Sequence, residues 1–317
     1  MHPCRGDRTV APTFVIIDTM FSPPRSFSIQ LILFAAIGLT ACTSVFGPAN
    51  TPTPSAPSPT PVPPTPTPPP LAATVNGEYI TQAEYDAELE RFRSAQAGQG
   101  HPFTDGQAGD IVLEDLVNQV LLSQGARAAG YELTESDLQS RVDALAVQAG
   151  GAETLSAWKS EQGYTDEAFR LALKRAAEAA WMRDKIIADV PLVAEQVHIQ
   201  QILTYNEDTA KNVLDRLNAG TEFNELAVIY DPNTRGELGW VPRGYLLDAG
   251  VEQAAFSLEV GAHSQVLTTP AGFHILKLLE RDSQHPLSPD ALLRMRELAL
   301  QDWLEQKRAQ SGIQPAH

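Results

Sequence analysis

The chain has 317 residues, enough for two ordinary domains or one large one. Lys and Arg total 23 against 39 Asp and Glu, a formal charge of -16, so no surplus of cations exists to neutralise a phosphate backbone and nucleic acid is not expected as a partner. The two cysteines, Cys4 and Cys42, precede the region expected to fold, and the seven histidines show no HxxxH spacing. Neither a disulfide framework nor a metal or other cofactor is expected.

The front end reads as an address. In residues 20–42, MFSPPRSFSIQLILFAAIGLTAC, Arg25 precedes an apolar run from Leu31 to Ala41 that ends in small residues. A bilayer span needs about 20 apolar residues, so this run suits the core of a signal peptide better than a membrane helix. Leu39-Thr40-Ala41-Cys42 resembles the lipobox of bacterial lipoprotein signal peptides. That resemblance implies a signal peptide over 1–42, with Met20 as an alternative start, and lipidation of the Cys42 thiol. A plain secretory signal or an uncleaved anchor is the alternative.

Pro48–Pro70 carries twelve prolines among threonines and serines, and Val62 is its largest apolar side chain. Such a segment buries no core and stays extended as polyproline II, reaching on the order of 70 Å at about 3.1 Å per residue. Segment 43–70 is therefore expected to be a stalk.

From residue 71 the pattern becomes that of a folded body. ATVNGEYI, Ala73–Ile80, suits a hairpin, with Asn76-Gly77 supplying a tight turn. Thr81-Gln-Ala-Glu84 has the spacing of a capping box opening a helix through about Ser94. Ile111, Val112, Leu113, Leu116, Val117, Val120 and Leu121 recur at helical spacing up to Gly130, a candidate C-terminal cap. Amphipathic helices are expected at about Ser136–Gln148, Glu153–Gln162 and Asp166–Ala188. NGEYIT, LVNQVLLSQGARAAGYELTESDL and EQGYTDEAFRLAL, in that order, resemble the N-terminal module of SurA- and PrsA-like extracytoplasmic foldases.

At Val197 the period changes. VHIQQILT reads as a strand, Glu207–Asn218 and Glu222–Val228 as helices, GELGWV from Gly236 as a strand and Val251–Leu258 as a helix. HSQVLTT and GFHILKLLE read as a closing pair of strands, and Pro191 and Pro286 bracket the whole. Pro289–Gln310 is one more amphipathic helix, whose apolar residues must be buried outside this completed unit. The fold class expected is α+β. A helical module at 71–190 is completed by a helix at 287–312, with an α/β domain at 194–283 inserted between them.

Val197–Arg281 resembles a parvulin-type peptidyl-prolyl isomerase domain. QILT and the helix after it, Gly236-Glu-Leu-Gly-Trp240, Val251-Glu-Gln-Ala-Ala-Phe256, Gly261 and Gly272-Phe-His-Ile275 carry the resemblance. It implies a polar catalytic network of His274, Thr269, Asp231 and Gln201, and a proline pocket from Leu238, Leu246 and Val251 with Phe256 behind them. The chain departs from the family at three places. Gln201 stands where the family usually has His, the loop Tyr230–Gly236 is short, and Val251 replaces the expected pocket aromatic. Two functions follow as expectations: a lipid-anchored extracytoplasmic foldase isomerising X–Pro bonds in unfolded secreted polypeptides, or a non-catalytic chaperone whose parvulin domain only binds peptide. A basic patch for phosphorylated residues before proline is absent from the domain.

Overall fold

The structure, a computed structural model, describes residues 69–97 and 103–315. The expected signal peptide, Cys42 and all but the last two residues of the expected stalk at 43–70 lie outside the described residues. Among the described residues no helix is long and apolar enough to cross a membrane.

The body begins with a hairpin, β1 (Leu71–Val75) and β2 (Glu78–Thr81), turned by Asn76 and Gly77, both at positive φ. Asn76 does more than turn the chain. Its Nδ2 donates to Gln124 Oε1 (2.8 Å) and Ser311 Oγ (3.0 Å), and its Oδ1 accepts from the Gly312 amide (2.9 Å). The hairpin is thereby fastened to the far end of the chain, where β7 (Ile313–Pro315) pairs antiparallel with β1 to give the order β2-β1-β7. No local pattern marks β7 in the sequence.

Five helices follow: α1 (Gln82–Ala97), α2 (Asp105–Ala128), α3 (Glu135–Gln148), α4 (Ala152–Glu161) and α5 (Asp166–Ala188). Thr134 and Thr165 cap α3 and α5 by accepting from the Asp137 and Ala168 amides. The expected box at Thr81 forms only in part. Thr81 Oγ1 accepts from the Glu84 amide (3.2 Å), but the Glu84 carboxylate takes Arg175 at 2.9 Å. Arg175 is 4% exposed, and its other guanidinium nitrogen donates to Tyr79 O at 2.7 Å. A buried cation needs a countercharge more than a helix end needs a second cap. The reciprocal box is at Thr104–Gln107, opening α2.

The central helices α2 and α5 pack together through Val112, Leu116, Val120, Leu121, Ala179 and Met182. Between them Glu178, fully buried, accepts from Ser123 Oγ (2.6 Å) and Arg127 (2.9 Å), and Arg127 also pairs with Glu78 of the hairpin. The last helix, α9 (Pro289–Ala309), adds Leu300 and Leu304 to the same core, and its Trp303 lies against Gly125, where a methyl group would stand 2.6 Å from the ring. The returning helix therefore packs on the helical module, as its unpartnered apolar stripe requires.

The inserted domain is a four-stranded antiparallel sheet of order β4-β3-β6-β5: β3 (Val193–Thr204), β4 (Glu237–Pro242), β5 (Leu267–Thr269) and β6 (Gly272–Pro286). Helices α6 (Glu207–Asn218) and α7 (Phe223–Tyr230) cover Ile202 and Ile275 on one face. Helix α8 (Ala249–Ser257) covers Val197, Ile199, Leu276 and Leu278 on the other. The sheet runs further than the apolar pattern. Val193–Gln196 and Asp282–Pro286 pair with each other, and the Leu287 amide donates to Leu192 O at 2.9 Å, forming a two-stranded neck to the helical module. Trp240 of GELGW stacks on His198 (5.2 Å between ring centres) and on His285 of the neck (4.0 Å), tying β4 to that ribbon. The architecture is α+β, with the α/β domain inserted in a helical module that its C-terminal helix completes.

Candidate active site

His274 lies on β6 between β3 and β5, opposite Leu203 and Leu267, and keeps 9% of its exposure. Residues two apart on a strand share a face, so it points with Leu276 and Leu278 to the α8 side. Gln201 and Ile199 of β3 share that side. Gln201 Oε1 accepts from His274 Nδ1 at 3.1 Å, and Thr269 Oγ1, at the β5–β6 turn, donates to Nε2 at 2.8 Å. With its proton on Nδ1, the ring is a neutral imidazole accepting at Nε2. Burial holds its pKa below the ordinary histidine value, and the negative charge of Asp248 opposes this only in part.

The structure thus joins His274, Thr269 and Gln201 directly. Asp231 stands apart from that network. It follows α7, and its carboxylate accepts from the Asn233 and Thr234 amides (3.1 Å each) and from the Thr234 hydroxyl. These bonds, that from Thr234 foremost, hold its pKa below the usual carboxylate value. Asp231 shapes the loop, and the loop meets the site through backbone: the Gln201 amide donates to Gly236 O at 2.8 Å. A side chain on Gly236 would run into Gln201 O at 1.9 Å, and its φ is +71°. Glycine is required there by both contact and conformation.

The acidic group that acts on His274 is Asp248, which sequence reasoning passed over. It caps α8, its Oδ1 accepting from the Val251 amide at 2.9 Å. The available signal was an Asp immediately before a helix and beside the apolar pair Leu246-Leu247.

The apolar residues divide. Val251 and Phe256, each 7% exposed, are packed under α8 against Val197 and Ile199, so they form a floor rather than an open lining. Leu246 is half-buried against the same cluster. Leu238, at the bulge where β4 shifts register against β3, is 37% exposed, and Leu247 is 97% exposed. Leu247 is the apolar side chain that the sequence reading did not single out. An exposed leucine beside Asp248 leaves apolar surface unburied on the loop that leads into α8.

Comparison with known proteins agrees with this layout. Residues 67–166 match the SurA-like N-terminal domain, and residues 198–280 match the PPIC-type PPIase domain. The foldase protein PrsA of Halalkalibacterium halodurans is 27% identical over 267 residues, 75% of this chain and 74% of that protein. PrsA of Caldanaerobacter subterraneus is 29% identical over 243 residues, 65% of this chain and 72% of its own length. A crystal structure of peptidylprolyl isomerase PrsA from Bacillus cereus aligns with 74% of this chain and 83% of its own, at 22% identity and a TM-score of 0.40. The chain is a PrsA- and SurA-like protein that carries a PPIC-type PPIase domain inserted behind its SurA-like N-terminal module.

Proposed function

We propose that the chain is a lipid-anchored extracytoplasmic foldase whose inserted domain rotates X–Pro bonds in unfolded secreted polypeptides. Rotation crosses a barrier of about 18–20 kcal/mol because the planar amide loses its resonance. No bond is made or broken, so the site needs no nucleophile and no metal. It needs apolar surface for the proline ring and polar groups that favour the twisted amide over both planar forms. Leu247, Leu238 and Leu246 supply the first. For the second, Gln201 gives its Oε1 to His274 and keeps its two N–H donors for the amide under rotation. The observation that carries the reading is the neutral, buried His274 held at both nitrogens by Thr269 and Gln201. The test is refolding of a proline-limited substrate, read by its slow phase, with the soluble body 71–317 as catalyst. Acceleration of that phase is expected; a slow phase equal to the uncatalysed one would refute the isomerase reading.

The second reading, a chaperone that holds clients without isomerising them, draws on two features. Val251 and Phe256 are sealed into the core. A cavity of about 340 Å³ opens on the helical module, lined in part by Tyr131, Leu133, Ala144 and Arg141. The two readings separate in the same assay once client aggregation is followed alongside.

Anchoring rests on the tetrapeptide ending at Cys42. Changing Cys42 to Ser is expected to move the protein from the membrane fraction to the soluble one, seen by fractionation and immunoblot. A variant that stays membrane-bound and full length points to an uncleaved helical anchor.

A further inference from the structure

Helix α9 touches two parts of the molecule with two parts of its length. Its second half, Ala299, Leu300, Trp303 and Leu304, lies in the core of the helical module. Its first half carries Arg294, Met295 and Leu298, all half-buried, and these meet the β4–α8 loop of the inserted domain at Gly244. A methyl group on Gly244 would stand 2.7 Å from Leu298 Cδ1 and 3.7 Å from Met295 Cε, and Arg294 Nε donates to Gly244 O at 3.4 Å. Gly244 has φ +81°, so both its backbone and its missing side chain suit this seat.

Beyond Gly244 the loop has little freedom. The Gly244 and Leu246 amides both donate to Glu252 Oε2, at 2.8 and 3.3 Å, which ties the loop to α8. On its near side Arg243 lies over the Phe256 ring at 4.0 Å and pairs with Glu195 of the neck at 3.2 Å. A loop held at both ends transmits a displacement of one end to what it carries. It carries Leu247 and Asp248, the exposed apolar side chain and the carboxylate that acts on His274.

We propose that Leu298, with Met295 and Arg294, is a positioning seat through which the helical module sets the isomerase site. It acts by fixing Gly244 and hence the Leu246–Asp248 loop that Glu252 ties to α8. Helix α9 is one rod of 21 residues, about 32 Å long at about 1.5 Å per residue, gripped by the module at one end and by the loop at the other. Movement of the module around a client is thereby felt at the site.

The inference rests on the isomerase reading for its consequence but not for its geometry, and the experiment keeps the two apart. In the full-length protein, Leu298→Ala is compared with wild type, with the volume-conserving Leu298→Met and with Leu293→Ala, an exposed leucine on the same helix. The His274 ring and the amides of residues 245–251 are followed by NMR through a pH titration, and isomerase kcat and KM are measured on the same samples. Leu298→Ala should shift those amides and move the His274 titration to lower pH, because the Asp248 charge is no longer held in place. It should also cost about fivefold or more in kcat/KM, the lower range of coupling between sites. Leu298→Met should restore both, and Leu293→Ala should change neither. If Leu298→Ala leaves the His274 titration and the loop amides at their wild-type values, the seat is passive packing and the proposal falls. A wild type without isomerase activity would overturn the proposed function instead, while the titration still reads the seat.

Discussion

A chain ended after Pro286 is expected to lose its helical module and to keep its α/β domain. The deletion removes Leu300 and Leu304, 7% and 8% exposed, from the core shared by α2 and α5. Truncating one buried leucine to alanine costs about 2–5 kcal/mol, and here two leave together with the helix that carried them. The Trp303 ring comes off Gly125, Arg308 off Asn118 (2.7 Å) and Glu114 (2.8 Å), and β7 off β1. Against a total stability of about 5–15 kcal/mol for a domain, those losses exceed what the module can absorb. The freed edge of β1 adds a hazard, since unpaired strand edges template association. The α/β domain should survive, because both faces of its sheet are covered by α6, α7 and α8 and its core takes no residue from α9. Size-exclusion chromatography and limited proteolysis decide the matter. Aggregation with a protected fragment near 193–286 is the expected outcome, and a monomer that melts like the full body would refute it.

Most of the framework is legible because its signals are local. Helices α3, α5, α6 and α9 begin where a Thr, Asn or Ser precedes the first turn and accepts from the amide three residues on. The hairpin turn is legible because few residue pairs other than Asn-Gly take two positive φ angles cheaply. What is hidden is pairing between distant segments. The stretch ERDSQHP is too polar to read as strand, yet it completes β6 because Val193–Gln196 offers it a ladder. IQP near the C-terminus becomes β7 because Asn76, more than 230 residues earlier, holds Gly312 in place. Glu84 shows the same limit. Its spacing is that of a capping box, and a buried arginine from α5 outbids the local bond.

The site divides along the same line. His274, Thr269 and Gln201 are legible through the resemblance of the strands that carry them, since sheet register brings the three together. The acidic member is not. Asp231 and Asp248 both stand at a helix boundary, and only the folded chain shows that Thr234 occupies the first while the second acts on the imidazole. Val251 and Phe256 are apolar residues of one short helix with Ala255 between them, a pattern that serves a pocket and a core equally. Here α8 turns them into the core.

Replacing His274 with Ala is expected to cost the isomerase tenfold or more, which corresponds to about 1.4 kcal/mol of lost transition-state stabilisation. The ring holds Gln201 by its Oε1, and without that bond the carboxamide no longer presents its N–H donors in a fixed direction. Thr269 loses its shorter hydrogen bond at the same time and keeps only the Gly272 carbonyl at 3.4 Å, so folding stability should fall by roughly 0.5–1.5 kcal/mol. Gln201→His should raise the rate or leave it unchanged, since an imidazole that accepts from His274 Nδ1 at one nitrogen keeps an N–H donor on the other for the rotating amide. Acid sharpens the test. Burial holds the His274 pKa below about 6.5, the value expected once the chain unfolds. The unfolded chain therefore takes up a proton at this residue before the native one does, and native stability falls as pH drops below about 6.5, down to the folded pKa. Activity should persist below the pH at which an ordinary histidine has titrated, because protonated Nε2 must reverse the bond it accepts from Thr269. In His274→Ala the stability loss assigned to this ring should be absent from the pH dependence of chemical denaturation. A variant that melts less readily in acid than wild type yet isomerises at the wild-type rate would make His274 a core histidine, satisfied by two neighbours and without part in the reaction.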